Sequence, residues 1–190
     1  MSTTKPHTPL LSLSAATQVV MQAADIVFVL QNKASRSDYR VQVAALNAVR
    51  RQYDRQGPEI TYADLDELKI ISRKLYAVFA AKNIEDAASI VNVLFHRYGS
   101  IPQLSIQGGE WRLYVGGSDQ VAWAEGFAAS SVWALAVLLA EKQTLPGGLC
   151  ASPSCKRPFI GLGKGGHRNY CSPRCATRER VAAYRRKAKL

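Results

Sequence analysis

Cys150-Ala-Ser-Pro-Ser-Cys155 and, after a glycine-rich loop, Tyr170-Cys171-Ser-Pro-Arg-Cys175 are the stretches that decide how the last quarter of this chain folds. They contain all four cysteines of the sequence. Each short pair lets one backbone turn present two thiolates to the same ion, and two such pairs complete a tetrahedral shell. The spacing predicts one structural zinc ion, with Cys150, Cys155, Cys171 and Cys175 as its ligands.

Three alternatives to structural zinc are a pair of disulfides, four unrelated buried thiols, and a zinc site that responds to oxidation. Residues 1–9 are polar and lack the apolar run and cleavage site of a signal peptide. We therefore expect a cytoplasmic protein, in which thiols stay reduced and paired cysteines favour metal. Four sulfurs also close the coordination shell, which leaves His167 outside it and no open position for catalysis. We expect the protein not to be an enzyme.

The second cysteine pair lies across a predicted helix start. Ser172 is a preferred N-cap residue, and Pro173 suits the first helical position. The positive end of the helix dipole favours thiolates at this point. A knuckle followed by two ligands at a helix start is the arrangement of a treble clef, so we expect a zinc module that ends in a helix.

Positive charge is concentrated in the same region. Residues 150–190 contain eleven Lys and Arg against Glu179 alone, which accounts for +10 of the chain's formal +11. On a helix that begins at Pro173, four basic residues fall within an arc of about 60°, namely Arg174, Arg178, Arg185 and Lys189. Such a stripe can follow phosphates or lie in a groove.

These positions predict a nucleic-acid interface. The alternatives are an acidic protein partner, or a solvated face that has no specific partner. The residues predicted to contact nucleic acid are Lys156, Arg157, Lys164, Arg168, Arg174, Arg178, Arg185, Arg186 and Lys189.

Residues 1–149 are close to neutral, with 14 basic and 13 acidic side chains, and the chain is apolar enough to fill a core. We predict an α+β fold, in which a mostly helical amino-terminal domain with a β-hairpin precedes a treble-clef-like zinc finger ending in a basic helix. The predicted boundaries are 1–12 for a disordered amino terminus, 13–145 for the helical and hairpin domain, and 146–190 for the zinc-finger module.

Hydrophobic periodicity predicts two helices at the start of this domain. The first covers Ser14–Gln31, although residues 26–29 also suit a strand. The second covers Ser37–Arg55. Its predicted inner face consists of Tyr39, Val43, Leu46 and Tyr53.

Two further helices follow, each with a capping signal. Thr61 and Asp64 resemble a capping box at the start of the third helix, and Asn83 caps the fourth, which ends at Gly99. The apolar stripe of the third helix consists of Leu65, Leu68, Ser72, Leu75 and Phe79.

A β-hairpin and a long apolar helix complete the domain. Alternating stretches at 104–106 and 111–115 flank the turn residues Gly108-Gly109. In the last helix the uncharged run 127–140 is too short to span a bilayer, so we predict a buried core helix and no membrane partner. Its aromatic residues are expected to pack in the core, although a pocket for a small-molecule effector stays open: Trp123, Phe127 and Trp133.

The cysteine stretches, the segment Gly108-Gly-Glu-Trp-Arg-Leu113 and the following Ala-rich helix resemble the bacterial CGNR zinc-finger family. The resemblance implies an amino-terminal ABATE domain, a carboxy-terminal zinc finger, and a role as a stress-related transcriptional regulator. The chain departs from the namesake motif, because Cys175-Ala-Thr-Arg178 stands where the family has Cys-Gly-Asn-Arg, after a spacer shorter by one residue.

Together these features predict a zinc-dependent, DNA-binding transcriptional regulator in the cytoplasm, associated with the nucleoid. The basic helix would contact DNA, and the amino-terminal domain would dimerise, sense an effector or recruit partners. Two alternatives stay open, an RNA-binding protein and a zinc-finger module that binds other proteins.

Overall fold

The computed structural model describes six segments of the chain, residues 12–31, 38–54, 58–107, 110–115, 122–161 and 168–187. Within these segments lie six α-helices and two small antiparallel β-ribbons. The helices are α1 (Leu13–Gln31), α2 (Tyr39–Tyr53), α3 (Leu65–Ala80), α4 (Ile84–Tyr98), α5 (Trp123–Lys142) and α6 (Pro173–Lys187). The strands are β1 (Gln103–Gln107), β2 (Glu110–Tyr114), β3 (Gly147–Leu149) and β4 (Pro158–Ile160). The predicted α+β class, mostly helical with a hairpin and a carboxy-terminal cysteine cluster, is confirmed.

The predicted starts of α3 and α4 are confirmed. The carboxylate of Asp64 accepts hydrogen bonds from both the backbone N–H and the hydroxyl of Thr61, each at 2.9 Å. A 3-10 turn at Tyr62–Asp64 leads into α3. The side chain of Asn83 accepts from the N–H of Asp86 at 2.7 Å. Such caps contribute about 1 kcal/mol each, and they fix the residue at which each helix begins.

The main core forms where α1 and α5 pack together and α3 and α4 cover them. Ile26, Leu68, Leu75 and Leu135 have no exposed surface. The predicted stripe of α3 is buried along its whole length. The alternative that residues 26–29 form a strand is wrong, since they belong to α1 and are mostly turned toward this core.

The predicted inner face of α2 is wrong at Tyr39, whose exposed fraction is 58%. The buried face is largely polar and consists of Gln42, Leu46, Asn47 and Arg50. The Asn47 amide donates to the carbonyl of Ile60 at 2.8 Å and accepts from its N–H at 2.9 Å. Asn47 is therefore buried because the backbone of the following segment needs hydrogen-bond partners away from water.

The predicted hairpin is confirmed as β1 and β2, which pair in an antiparallel register that sets Leu104 opposite Leu113 and Ile106 opposite Trp111. The two glycines of the predicted turn, Gly108-Gly109, lie outside the described residues. Directly opposed residues share one face of a ribbon. This face is therefore apolar.

Two helices, α1 and α5, are long and apolar enough to cross a bilayer on length and composition alone. About half of each apolar window is buried inside the protein, 50% for α1 and 56% for α5. The core helices of soluble proteins meet the same test, so this finding does not by itself favour a membrane span. That the protein has no membrane partner stays a prediction.

Candidate metal centre

The first half of the cysteine site is a turn between β3 and β4, a short ribbon that the sequence pattern did not predict. The N–H of Cys155 donates to the carbonyl of Ser152 at 3.0 Å, and the N–H of Cys150 donates to the carbonyl of Arg157 at 2.9 Å. Lys156 has a φ of 52°, in the left-handed region that tight turns require. These bonds fold residues 150–157 into a knuckle whose two thiols point the same way.

The second half of the site is the start of α6, as predicted. Ser172 accepts the N–H of Cys175 at 3.3 Å through its hydroxyl, and the N–H of Ala176 at 3.1 Å through its carbonyl. Cys171 thus lies just before the helix and Cys175 in its first turn. A backbone hydrogen bond of 2.8 Å from Ala151 to Asn169 brings the two halves together.

The four sulfurs have the spacing of a tetrahedral zinc shell. All lie within 4.8 Å of one another, and two neighbouring pairs, Cys155 with Cys171 and Cys171 with Cys175, are each 3.7 Å apart. Zn–S bonds of about 2.3 Å in a tetrahedron place the sulfurs about 3.8 Å apart, whereas a disulfide needs about 2.05 Å. The cysteines are free thiols, which excludes the predicted disulfide alternative in this structure. They hold one zinc ion.

The protonation of the thiols makes zinc binding depend on pH. Burial, together with the neighbouring cysteine thiols, raises the pKa of Cys171 to about 12. The hydrogen bond from Ser172 lowers the pKa of Cys175. Zinc binds thiolates, so binding releases protons and its affinity falls as the pH falls. With four thiolates the shell is closed and leaves no position on the ion for a substrate.

The knuckle is joined to the helical domain through Arg157. Its Nη2 lies 2.6 Å from Oδ1 of Asp25 in α1, and its guanidinium lies 4.7 Å from the ring centroid of Phe28. The hydroxyl of Tyr53 donates to the other carboxylate oxygen at 2.8 Å. Burial and this hydrogen bond raise the pKa of Tyr53, which keeps it a neutral donor. The metal site is therefore docked on α1.

Arg178 faces the metal site as well. Its Nη2 donates to the hydroxyl of Ser152 at 2.7 Å and lies 3.6 Å from Sγ of Cys175. The Ser152 hydroxyl donates in turn to Oε1 of Glu179 at 2.7 Å. Two of the nine residues predicted to contact nucleic acid, Arg157 and Arg178, thus bond to side chains of the protein.

The other seven predicted contacts fall into two groups. Lys164 and Lys189, like the loop residue His167, lie outside the described residues. The remaining residues are exposed, and one of them, Arg168, also donates to the carbonyl of Ile160 at 3.3 Å. These exposed residues are Lys156, Arg168, Arg174, Arg185 and Arg186.

Sequence reasoning left out two exposed cations of α6, Arg180 and Lys187. Both lie off the arc of four on which the prediction concentrated. The signal that identifies them is the burial pattern of α6, in which Cys175 is the one buried residue along the described helix. A helix attached by its first two turns presents several sides of its later turns to solvent, so its cations are not limited to one stripe.

Residues 148–188 match the family model of the CGNR zinc finger. The match begins in β3 and ends just after α6, so it covers both cysteine pairs and the basic helix. No curated protein sequence matches the chain at a significant level. The resemblance drawn from the sequence is therefore confirmed for the finger, while the ABATE assignment of residues 13–145 stays a prediction.

Proposed function

We propose that this protein is a zinc-dependent, DNA-binding transcriptional regulator whose helix α6 is the nucleic-acid contact. The observation that carries the proposal is the exposure of α6. Among its described residues, Cys175 alone is buried, and its cations extend into solvent. A cationic helix whose first two turns are fixed and whose later turns are exposed can enter a groove or follow phosphates.

The distribution of charge supports the same proposal. Nearly all of the net positive charge lies in residues 150–190, while the rest of the chain is close to neutral. A polyanion would therefore approach the finger and not the helical domain. The residues proposed to contact DNA are Lys156, Arg168, Arg174, Arg180, Arg185, Arg186 and Lys187, all exposed.

In this proposal zinc has a structural role and the protein is not an enzyme, because four thiolates occupy the ion. The helical domain, residues 13–145, would dimerise, sense a small-molecule effector or recruit partners in the manner of an ABATE domain. The finger module would comprise residues 146–190. The proposed location is the cytoplasm, in association with the nucleoid.

The direct test is duplex binding by the full chain as a function of salt, measured by fluorescence anisotropy. If about four cations contact phosphates, raising salt from about 50 to about 200 mM weakens binding roughly 100-fold. The double variant Arg185→Ala/Arg186→Ala should lower the salt slope by about 2 and leave the zinc content unchanged.

The matched control removes the same charge from the helical domain. Arg51→Ala/Arg73→Ala replaces two guanidinium groups of α2 and α3 and should leave the salt slope as it is. If the control weakens binding as much as the α6 variant, the attraction is a diffuse effect of net charge. If the full chain with zinc does not bind duplex at low salt, the proposal fails.

A second candidate is RNA binding, which one observation on α6 favours. Tyr184 is 74% exposed and lies among arginines, and aromatic side chains next to cations stack on unpaired bases. Competition between duplex DNA, structured RNA and single strands separates the two, with Tyr184→Ala weakening single-strand binding most if RNA is the target. An association that does not respond to salt would point instead to a protein partner.

A further inference from the structure

Arg178 lies on the predicted cationic stripe, yet its guanidinium is engaged with the metal site. One nitrogen, Nη2, lies within reach of both the Ser152 hydroxyl, at 2.7 Å, and the Cys175 sulfur, at 3.6 Å. Nε of the same side chain lies 3.7 Å from Oε1 of Glu179. About half of the side chain, 48%, is exposed. Two donor nitrogens of Arg178, Nη2 and Nε, therefore already face groups of the finger.

Ser152 connects the two halves of the metal site. It has no exposed surface. Its hydroxyl accepts from Arg178 and donates to Glu179, both residues of α6. Its carbonyl accepts the N–H of Cys155 at 3.0 Å, which is the bond that shapes the knuckle. A single buried residue thus fastens the first half-site to the helix that carries the second.

The charge of the metal site explains why an arginine suits this position. Zinc with four thiolates has a formal charge of about −2, most of it on sulfur. A guanidinium N–H directed at one sulfur offsets part of that charge, and hydrogen bonds to an ionised acceptor are stronger than neutral ones. Groups behind the ligands orient them and tune metal affinity.

We infer that Arg178, Ser152 and Glu179 form a clasp that positions the zinc ligands, so that Arg178 serves metal retention and not nucleic-acid contact. In this clasp Arg178 donates to the Cys175 thiolate and to Ser152, and Glu179 holds Ser152 from the other side. The inference does not rest on the proposed function, because zinc affinity can be measured without any nucleic acid.

The test measures zinc affinity of the full chain by competition with a chromogenic chelator. Arg178→Ala should lower the affinity about 10- to 100-fold, the usual effect of removing a group behind a metal ligand. The matched control is Arg174→Ala, one turn earlier on α6, which removes an exposed arginine and should leave zinc affinity unchanged. Ser152→Ala, which removes no charge, should also lower the affinity, and it provides the same test if Arg178→Ala fails to fold.

A spectroscopic measurement separates a donor to sulfur from a merely structural residue. In the cobalt-substituted protein, loss of the Arg178 hydrogen bond should shift the thiolate-to-cobalt charge-transfer band to lower energy, because the sulfur lone pairs are less stabilised. Arg174→Ala should not move the band. Arg178→Lys keeps a cation near the sulfur. Its charge-transfer band and its zinc affinity should therefore both lie between those of Arg178→Ala and those of the wild type.

The inference is overturned if Arg178→Ala and Ser152→Ala both retain wild-type zinc affinity and the cobalt band stays in place. It is also overturned if Arg178→Ala changes only the salt slope of duplex binding, by the same amount as Arg174→Ala. In that case Arg178 is a phosphate contact. At saturating zinc, we expect Arg178→Ala to retain the wild-type salt slope.

Discussion

The helical domain and the zinc finger are stabilised by different means. The helical domain has a continuous apolar core drawn from α1, α3, α4 and α5. In the described part of the finger, residues 146–161 and 168–187, five residues are buried, and two of these are metal ligands; the five are Pro146, Cys150, Ser152, Pro158 and Cys175. Apolar burial holds the helical domain together, and Leu149 and Ile160 of the finger also pack against that core. Because the rest of the finger buries so little, we expect its fold to depend on the ion.

The largest effect that tests this comparison is loss of a zinc ligand. Cys155→Ser should abolish stoichiometric zinc and unfold the finger, because zinc contributes on the order of 10–16 kcal/mol to small fingers. The helical domain should keep its helices. Elemental analysis measures the zinc, and hydrogen exchange resolves the two regions.

Thr177→Ala is the control for this variant, since it changes an exposed residue of the finger and leaves four sulfurs. Finger amides that stay protected in the metal-free Cys155→Ser protein would contradict the dependence on zinc. A helical domain that unfolds together with the finger would show that the two regions are one cooperative unit.

A substitution in the apolar core should destabilise the helical domain and leave the zinc site unchanged. Leu135 is fully buried in α5, and Leu135→Ala should lower the free energy of unfolding of the helical domain by about 2–5 kcal/mol. Zinc affinity should be unchanged, because the cysteines are held by the turn between β3 and β4 and by the start of α6. Chemical denaturation gives the first quantity and chelator competition the second.

Val93→Ala on α4 is the control for the core substitution. Val93 is 61% exposed, so its truncation should change stability by less than about 0.5 kcal/mol. If Leu135→Ala lowers zinc affinity as much as it lowers stability, the finger takes its stability from the core and the distinction drawn here is wrong.

The sequence was most informative where local chemistry determines structure. The spacing of the four cysteines predicted their cluster, because two short pairs can meet on one ion with little freedom. Capping residues such as Thr61 and Asn83 predicted helix starts, since their hydrogen bonds reach only two or three residues along the chain. The apolar periodicity of α3 predicted its buried face, because residues three and four positions apart lie on the same side of a helix.

Features that depend on distant residues were not predicted. The strands β3 and β4 have three residues each, too few for an alternating pattern to show. Tyr39 was assigned to the core because its aromatic side chain matched the helical period, yet Asn47 and Arg50 are buried instead to serve the backbone near Ile60 and Asp54. Arg178 matched the cationic stripe, and only the fold reveals Ser152 beside it.

The contact between Asp25 and Arg157 is the clearest example of a feature that depends on distant residues, because 132 positions of sequence separate the two. A signal was present in the sequence, since Asp25 is the one charged residue of the apolar helix α1. Its side chain is 17% exposed, and a carboxylate that is largely withdrawn from water requires a partner. The sequence does not say which cation supplies it.

The smallest expected effect concerns this joint, where the two regions meet. Asp25→Asn removes the charge and one of the two acceptor oxygens shared by Arg157 and Tyr53, which should cost about 1–3 kcal/mol of stability. Arg157 is half-exposed, so its guanidinium can turn to water and the loss stays moderate. Hydrogen exchange should rise in β4 and in the part of α1 around Asp25.

Glu59→Gln is the matched control, because it neutralises the carboxylate of an exposed ion pair, Arg51 with Glu59, that joins no two regions. Such pairs contribute about 0–1 kcal/mol. Arg157 links the two regions, because its guanidinium pairs with Asp25 and its carbonyl accepts the N–H of Cys150 at 2.9 Å. Asp25→Asn should therefore also weaken zinc binding, by less than the loss of Arg178 does. Unchanged exchange in β4, together with unchanged zinc affinity, would mean that the finger and the helical domain are only neighbours, each stable without the other.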